Sequence, residues 1–138
     1  MAGLFFDDGR KAVLDILFDA SRSPKARLFT NNFALTQTKV FGDFTEPTFT
    51  GYATIDLSTM AAAIINGMDQ GQKIINPASW ACTANGAAFT CYGYLITITD
   101  LSAAQRVFFA DKFPGPVVVQ NNGDAISLPL TFLSELGT

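Results

Sequence analysis

From Ala26 onward the sequence runs in short stretches of β-branched and aromatic residues, broken by turn-forming residues at intervals of about 8 to 15 residues. Residues 27–30 make a short strand candidate, followed by the turn pair Asn31-Asn32. Residues 48–57 alternate Phe49, Gly51, Ala53, Ile55 and Leu57 against Thr50, Tyr52, Thr54 and Asp56, the pattern of a half-buried strand. Further candidates are 73–75, 79–83 around Trp80, 92–99, 105–112, 117–119 and 126–133. Asn66-Gly67, Asn85-Gly86 and Asn122-Gly123 have the chemistry of tight turns between or beside these runs. Seven or eight short strands with this punctuation predict a mainly β fold, an antiparallel β-sandwich or jelly roll. Residues 58–71 fit either a short helix ended by Gly67 or a long loop.

The N-terminus follows a different period. Val13, Leu14, Ile16, Leu17 and Phe18 recur at spacings of three and four, with Asp15 and Asp19 opposite. Asp7 or Asp8 caps the start, where the helix dipole favours negative charge, and Ser23-Pro24 stops the run. The expectation is an amphipathic helix over residues 8–20, of about three turns, too short to be stable without something to pack on. Residues 1–25 then form a helical arm and 26–138 the β-sandwich body.

The chain has 138 residues, enough for one domain with one core. Only 15% are charged, against about 25% in an ordinary soluble domain, while 49% are hydrophobic. Such a chain has little charge with which to cover its exterior. Nine basic and twelve acidic side chains give a net charge of -3 and no positive stripe, which argues against nucleic-acid binding. There is no histidine, so Ser-His-Asp and Cys-His catalysis, His-ligated zinc and a histidine pH switch are unavailable. Residues 1–6 lack a basic stretch before a long apolar run, and the longest apolar run, 60–65, is far short of a membrane span. A product of the cytosol, without membrane association, is expected.

Acid–base chemistry would rest on carboxylates. Asp43 and Glu46 flank Phe44-Thr45, but the plain reading is a polar loop in which Asp43 or Thr45 caps a turn. Asp7-Asp8 lacks the alternating oxygen ligands of a calcium loop and reads as a helix cap. Neither pair supports an enzyme, a metal or a cofactor. Cys82 and Cys91 flank residues 85–88; if those form a hairpin loop, Cys82 lies opposite Cys91 and a cross-strand disulfide is geometrically allowed. Two buried free thiols are the alternative, and the one a cytosolic product favours. Phe29, Phe33, Phe41, Phe44 and Phe49 read as core-filling residues of β-strands. Trp80 and Tyr94, which combine apolar area with a polar handle, are the aromatic candidates for a partner surface.

Several blocks carry a resemblance. Leu28-Phe29-Thr30-Asn31-Asn32, the stretch from Asp43-Phe44-Thr45-Glu46-Pro47 to Gly51-Tyr52-Ala53, Tyr92-Gly93-Tyr94, Phe108-Phe109-Ala110-Asp111-Lys112-Phe113 and Asn121-Asn122-Gly123-Asp124 follow in order. Together they resemble the signature blocks of small virion structural proteins of tailed bacteriophages. Two Phe stand where that family's later block carries tryptophan, and residues 60–72 have no counterpart in it. The resemblance implies a virion protein, a capsid decoration or cement protein made in the host cytoplasm and displayed on the capsid surface. Its partner would be the major capsid protein, and it would self-associate, with a trimer favoured. On that reading Val13, Leu14, Leu17 and Phe18 dock the arm on a neighbour, while Trp80 and Tyr94 contribute from the body. The alternative is a tail-associated or receptor-binding β-sandwich that recognises carbohydrate through residues 33–41 and 104–116.

Overall fold

A computed structural model describes residues 12, 15, 16, 19–58, 64, 65 and 71–134. The protein is mainly β, with seven strands among the described residues: β1 (Lys25–Phe29), β2 (Ile55–Asp56), β3 (Ile64–Ile65), β4 (Gly71–Ala81), β5 (Phe89–Thr99), β6 (Gln105–Val119) and β7 (Ala125–Ser134). They form two antiparallel sheets, one ordered β2-β1-β5-β6 and the other β3-β4-β7.

Prolines mark where strands expected to be separate are in fact continuous. β4 joins 73–75 to 79–81, and its register against β7 slips between Ile75 and Ala78. Asn76 and Pro77 on one strand and Pro129 on the other are passed over there. β6 likewise joins 105–112 to 117–119, and its register against β5 passes from Lys112 to Val117 across Phe113, Pro114, Gly115 and Pro116. Proline has no N–H to give a ladder, so the strands bulge at these points and resume. The opposite correction applies to residues 48–57, of which only Ile55–Asp56 is strand. Gly51 has φ 96°, and Tyr52 N–H donates to the Phe49 carbonyl (3.0 Å), so the chain turns where alternation predicted extension.

Of the three Asn-Gly turns expected, Asn66-Gly67 lies outside the described residues, and Asn85-Gly86 and Asn122-Gly123 lie in connections that are not hairpins. The connections 82–88 and 120–124 cross from one sheet to the other, since β4 and β7 lie in one and β5 and β6 in the other. They brace each other: Asn122 N–H donates to Asn85 Oδ1 (2.8 Å), and Gly123 N–H to the Cys82 carbonyl (2.9 Å). Cys82 therefore does not oppose Cys91, which pairs with Val117, so the conditional cross-strand disulfide is corrected; both thiols are free and buried, the alternative that the sequence reading favoured. Of residues 58–71, Ile64–Ile65 is strand and pairs with residues 71–72, and the intervening part lies outside the described residues.

One apolar cluster draws on both sheets, with Ala26, Leu28, Cys91, Ile96 and Val119 from one and Ala78, Trp80 and Ile126 from the other. The central strand β5 is covered on its second face too: Leu95, Ile96 and Thr97 have no exposure. That second cover is the segment 30–47, folded back over β1 and β5. Its ends are clasped at one point, where Thr30 N–H donates to the Thr45 carbonyl (2.8 Å) and Thr45 N–H to Asn31 Oδ1 (2.6 Å). Phe33 and Phe44 then stack edge-on to each other and both meet Phe29.

Ala12, Asp15 and Ile16 are helical, and a 3-10 turn over Ala20–Arg22 follows. Ser23 leaves that turn at φ 46°, and Arg22 Nη1 donates to the Thr99 carbonyl at the end of β5 (3.2 Å). The rest of the expected helix, including Val13, Leu14, Leu17 and Phe18, lies outside the described residues. Among the described residues no helix is long and apolar enough to cross a membrane.

Candidate functional site

A run of exposed residues lies along β6, the outermost strand of its sheet among the described residues. Ten of its fifteen positions are exposed. Apolar side chains are prominent among them: Phe108 and Phe109 are 38% and 41% exposed, and Val118 is 55% exposed. A long apolar edge is a template for pairing, and soluble proteins ordinarily blunt it.

A bulge sets the geometry of this strand. Thr97 opposes Val107 and Ile96 opposes Phe109, so Phe108 is an extra residue. The bulge turns Phe108 toward the groove between β6 and the clasped segment 30–47, a cavity of about 380 Å³ lined by Leu35, Gln37, Lys39, Phe44, Val107 and Phe108 among others. Lys39, which lines the groove, lies over the Phe33 ring, 4.3 Å from its centroid, and Lys112 Nζ on β6 reaches Asn32 Oδ1 (3.4 Å). The segments 33–41 and 104–116 thus meet at one groove, the second of them mostly strand, as expected for 105–112.

Tyr94 is half-buried beside this edge, 6.1 Å from Phe109 and 6.3 Å from Phe113 between ring centroids. Burial, helped by the charge of Asp111 opposite it, pushes its phenol above the ordinary range. Trp80 requires a correction. It is 3% exposed within the shared core and presents no surface to a partner; its indole Nε1 is buried without a hydrogen-bond partner. The strand pattern placed Trp80 on a sheet but could not say which face turns inward.

Asp43 and Glu46 turn to different partners and do not form a paired acid–base site. Asp43 Oδ2 accepts from Val40 N–H (2.9 Å) and caps a 3-10 turn over Phe41–Asp43. Glu46 instead accepts from Arg27 Nη1 (3.0 Å) and from the Tyr52 hydroxyl (2.6 Å), while Tyr52 Oη also accepts from Leu28 N–H (3.1 Å). Arg27 completes this cluster through Thr97 Oγ1 (3.0 Å) and the face of Phe41 (4.9 Å to the centroid). Burial and the bond to Glu46 push the Tyr52 phenol far above its ordinary value. A neutral phenol that holds a carboxylate is a structural brace here, tying segment 30–47 to β1. Among the described residues no three of His, Cys, Asp and Glu come together as a metal-ligand set.

Local pattern did not reveal the β6 edge, but a signal was present. Phe108-Phe109 breaks the alternation of an otherwise regular strand, and Pro114-Gly115-Pro116 interrupts its ladder before it resumes at Val117. No protein-family model, curated protein or solved structure matches the chain.

Proposed function

We propose that this chain is a structural protein of a tailed-phage particle, a capsid decoration or cement protein that binds the major capsid shell and stabilises it. The body would be a β-sandwich of jelly-roll type, with residues 1–25 as a helical arm. The single observation that carries the reading is the exposed apolar edge of β6 on a body with a shared core, a combination that suits assembly. The resemblance of the ordered blocks supplies the kind of assembly.

In this reading the arm presents Val13, Leu14, Leu17 and Phe18 to a neighbour, and each large apolar side chain buried there contributes roughly 1.5 to 3 kcal/mol. Copies displayed in register on a shell add avidity to a modest single contact. Self-association, as a trimer about a shell axis, belongs to the same reading.

A second reading is favoured by one observation. The groove between segment 30–47 and β6 brings together the two stretches a tail-associated, carbohydrate-recognising protein would use. Electron cryomicroscopy of particles that carry the protein separates the two: density on the capsid exterior is expected, and density confined to the tail would move the assignment to the second reading. Absence from the particle overturns both.

A further inference from the structure

We infer that Leu101, at the tip of the turn between β5 and β6, seats in the groove between segment 30–47 and β6 of a second copy of this chain, and that the contact, repeated head to tail, closes a ring of three. This rests on the self-association in the proposed function and names the two surfaces that perform it.

A trimer restricts the contacts available. A two-fold contact uses the same patch on both partners and ends at two copies, whereas a ring of three needs two different patches on each chain, one to offer and one to receive. Among the described residues the chain has both, a projecting apolar side chain and a recessed groove.

Leu101 is 94% exposed, the most exposed of the large apolar side chains described. A lone exposed leucine is ordinary; what sets this one apart is the turn that holds it. Asp100, the residue before it, accepts through Oδ1 from Ser102 N–H (2.8 Å) and Ala104 N–H (2.9 Å), and through Oδ2 from Arg106 Nε (2.7 Å). Asp100 N–H donates to the Ala104 carbonyl (2.9 Å), and Ala103 N–H donates back to the Asp100 carbonyl (3.1 Å). Ala103 takes φ 63°, a left-handed conformation that alanine disfavours and that these bonds hold in place. The backbone on both sides of Leu101 is thus fixed before a partner arrives, so little ordering entropy is lost when the side chain is buried.

The receiving groove, about 380 Å³, has Leu35, Phe44 and Val107 in its lining, with Lys39 as the charged lining residue. Phe108 and Phe109 form part of its wall while keeping partners of their own, and the cavity stands with those contacts made. Leu101 is too exposed to be filling the groove of its own chain. Charge matches as well as shape. Asp100 stands next to Leu101, and its Oδ2 retains a lone pair beyond the bond from Arg106. The Lys39 ammonium, held over the Phe33 ring, has N–H donors left. Seating Leu101 brings that carboxylate to that ammonium, which sets orientation, while burial of the leucine supplies affinity. Each copy then offers its tip to one neighbour and receives the tip of the other, as a ring requires.

Sedimentation equilibrium of the full chain tests this, with three times 14.8 kDa expected for the wild type at high concentration. Leu101→Ser should weaken each contact at least about tenfold. Gln37→Trp, which adds bulk at an exposed position of the groove lining, should do the same. Neither should move the thermal midpoint of the fold, since both side chains are exposed. Leu101→Cys mixed with separately purified Gln37→Cys should cross-link under mild oxidation, and neither should cross-link to itself. A wild type that stays monomeric or stops at a dimer, an assembly that Leu101→Ser or Gln37→Trp leaves intact, or a Leu101→Cys that cross-links to itself overturns the inference. Shell occupancy is read separately: a monomer that still decorates shells removes the ring and keeps the capsid reading. A trimer that ignores shells does the reverse.

Discussion

Gly93 lies under the ring of Phe29: a methyl group added at Gly93 would stand 2.6 Å from that ring and closer still to the Asp111 carbonyl oxygen. β1, β5 and β6 meet at this point, since Gly93 pairs with Phe29 on one side and Lys112 on the other. The close approach also seats the Phe29, Phe33 and Phe44 cluster that holds segment 30–47 down on the sheet. Gly93→Ala should accordingly destabilise the fold by about 1 to 3 kcal/mol, as overpacking does. Gly42→Ala, at a site with nothing within 4 Å, should change it little. Urea denaturation of the two variants checks the contrast, and equal midpoints would refute the packing account.

Trp80 separates packing from polarity. Truncation to Ala should cost about 3 to 5 kcal/mol through the cavity it leaves. Trp80→Phe should cost far less, because the smaller ring loses contacts but also removes a buried N–H that has no acceptor. If Trp80→Phe proved as damaging as Trp80→Ala in thermal unfolding, the indole N–H would have to be satisfied in solution.

The Arg27, Glu46 and Tyr52 cluster should behave as one unit. Arg27 and Glu46 side chains are 14% and 27% exposed, so removing either leaves a poorly solvated charge behind. Glu46→Ala is expected to cost about 1 to 3 kcal/mol, and Tyr52→Phe less, as it removes one neutral donor. A double-mutant cycle of Arg27→Ala with Glu46→Ala should give a coupling clearly different from zero. Additive losses would make the pair incidental.

Stability should be flat from mildly acidic to neutral pH, because the chain contains no histidine, and should fall at both extremes. On the alkaline side, burial pushes the Cys91 thiol from 9.0 to about 11, and Tyr52 also titrates above its ordinary value. Both groups hold their protons more tightly when folded, so their contribution is complete below the unfolded values and is lost as pH rises through the folded ones. On the acid side, Arg106 beside Asp100, the N–H groups of Asn121 and Gln120 beside Asp124, and Ser58 beside Asp56 hold those carboxyls below the ordinary range. Their contribution is complete above the usual carboxylate value and is lost as pH falls through the folded ones. Thermal midpoints across pH check this, and Asp124→Asn should reduce the acid limb without altering the alkaline one.

Several features were legible without the fold because they are local. Alternation over residues 92–99 identified the central strand, and the boundaries of β7 were nearly right from residues 126–133. Asn122-Gly123 marked a reversal that the structure has, with Gly123 at φ 98°. Asp43 capping a turn was also readable, since the acceptor and its N–H lie three residues apart. The groove and the β6 edge were not, because they depend on Thr45 returning to Asn31 across fourteen residues and on which strand lies outermost.

By itself, then, the sequence determined a β class, the central and last strands, some of the places where the chain turns and the absence of histidine chemistry. Each follows from period, turn residues or composition, which act within a few residues. Tertiary structure alone decided that Cys82 sits in the connection between the sheets while Cys91 sits on β5, that Trp80 faces the core, and that β6 is the outermost strand of its sheet among the described residues. A period of two assigns residues to two faces without saying which face is buried or which strand comes alongside. Those choices are made by contacts between residues far apart in the chain, and the bulge at Phe108 shows how one extra residue can reset them.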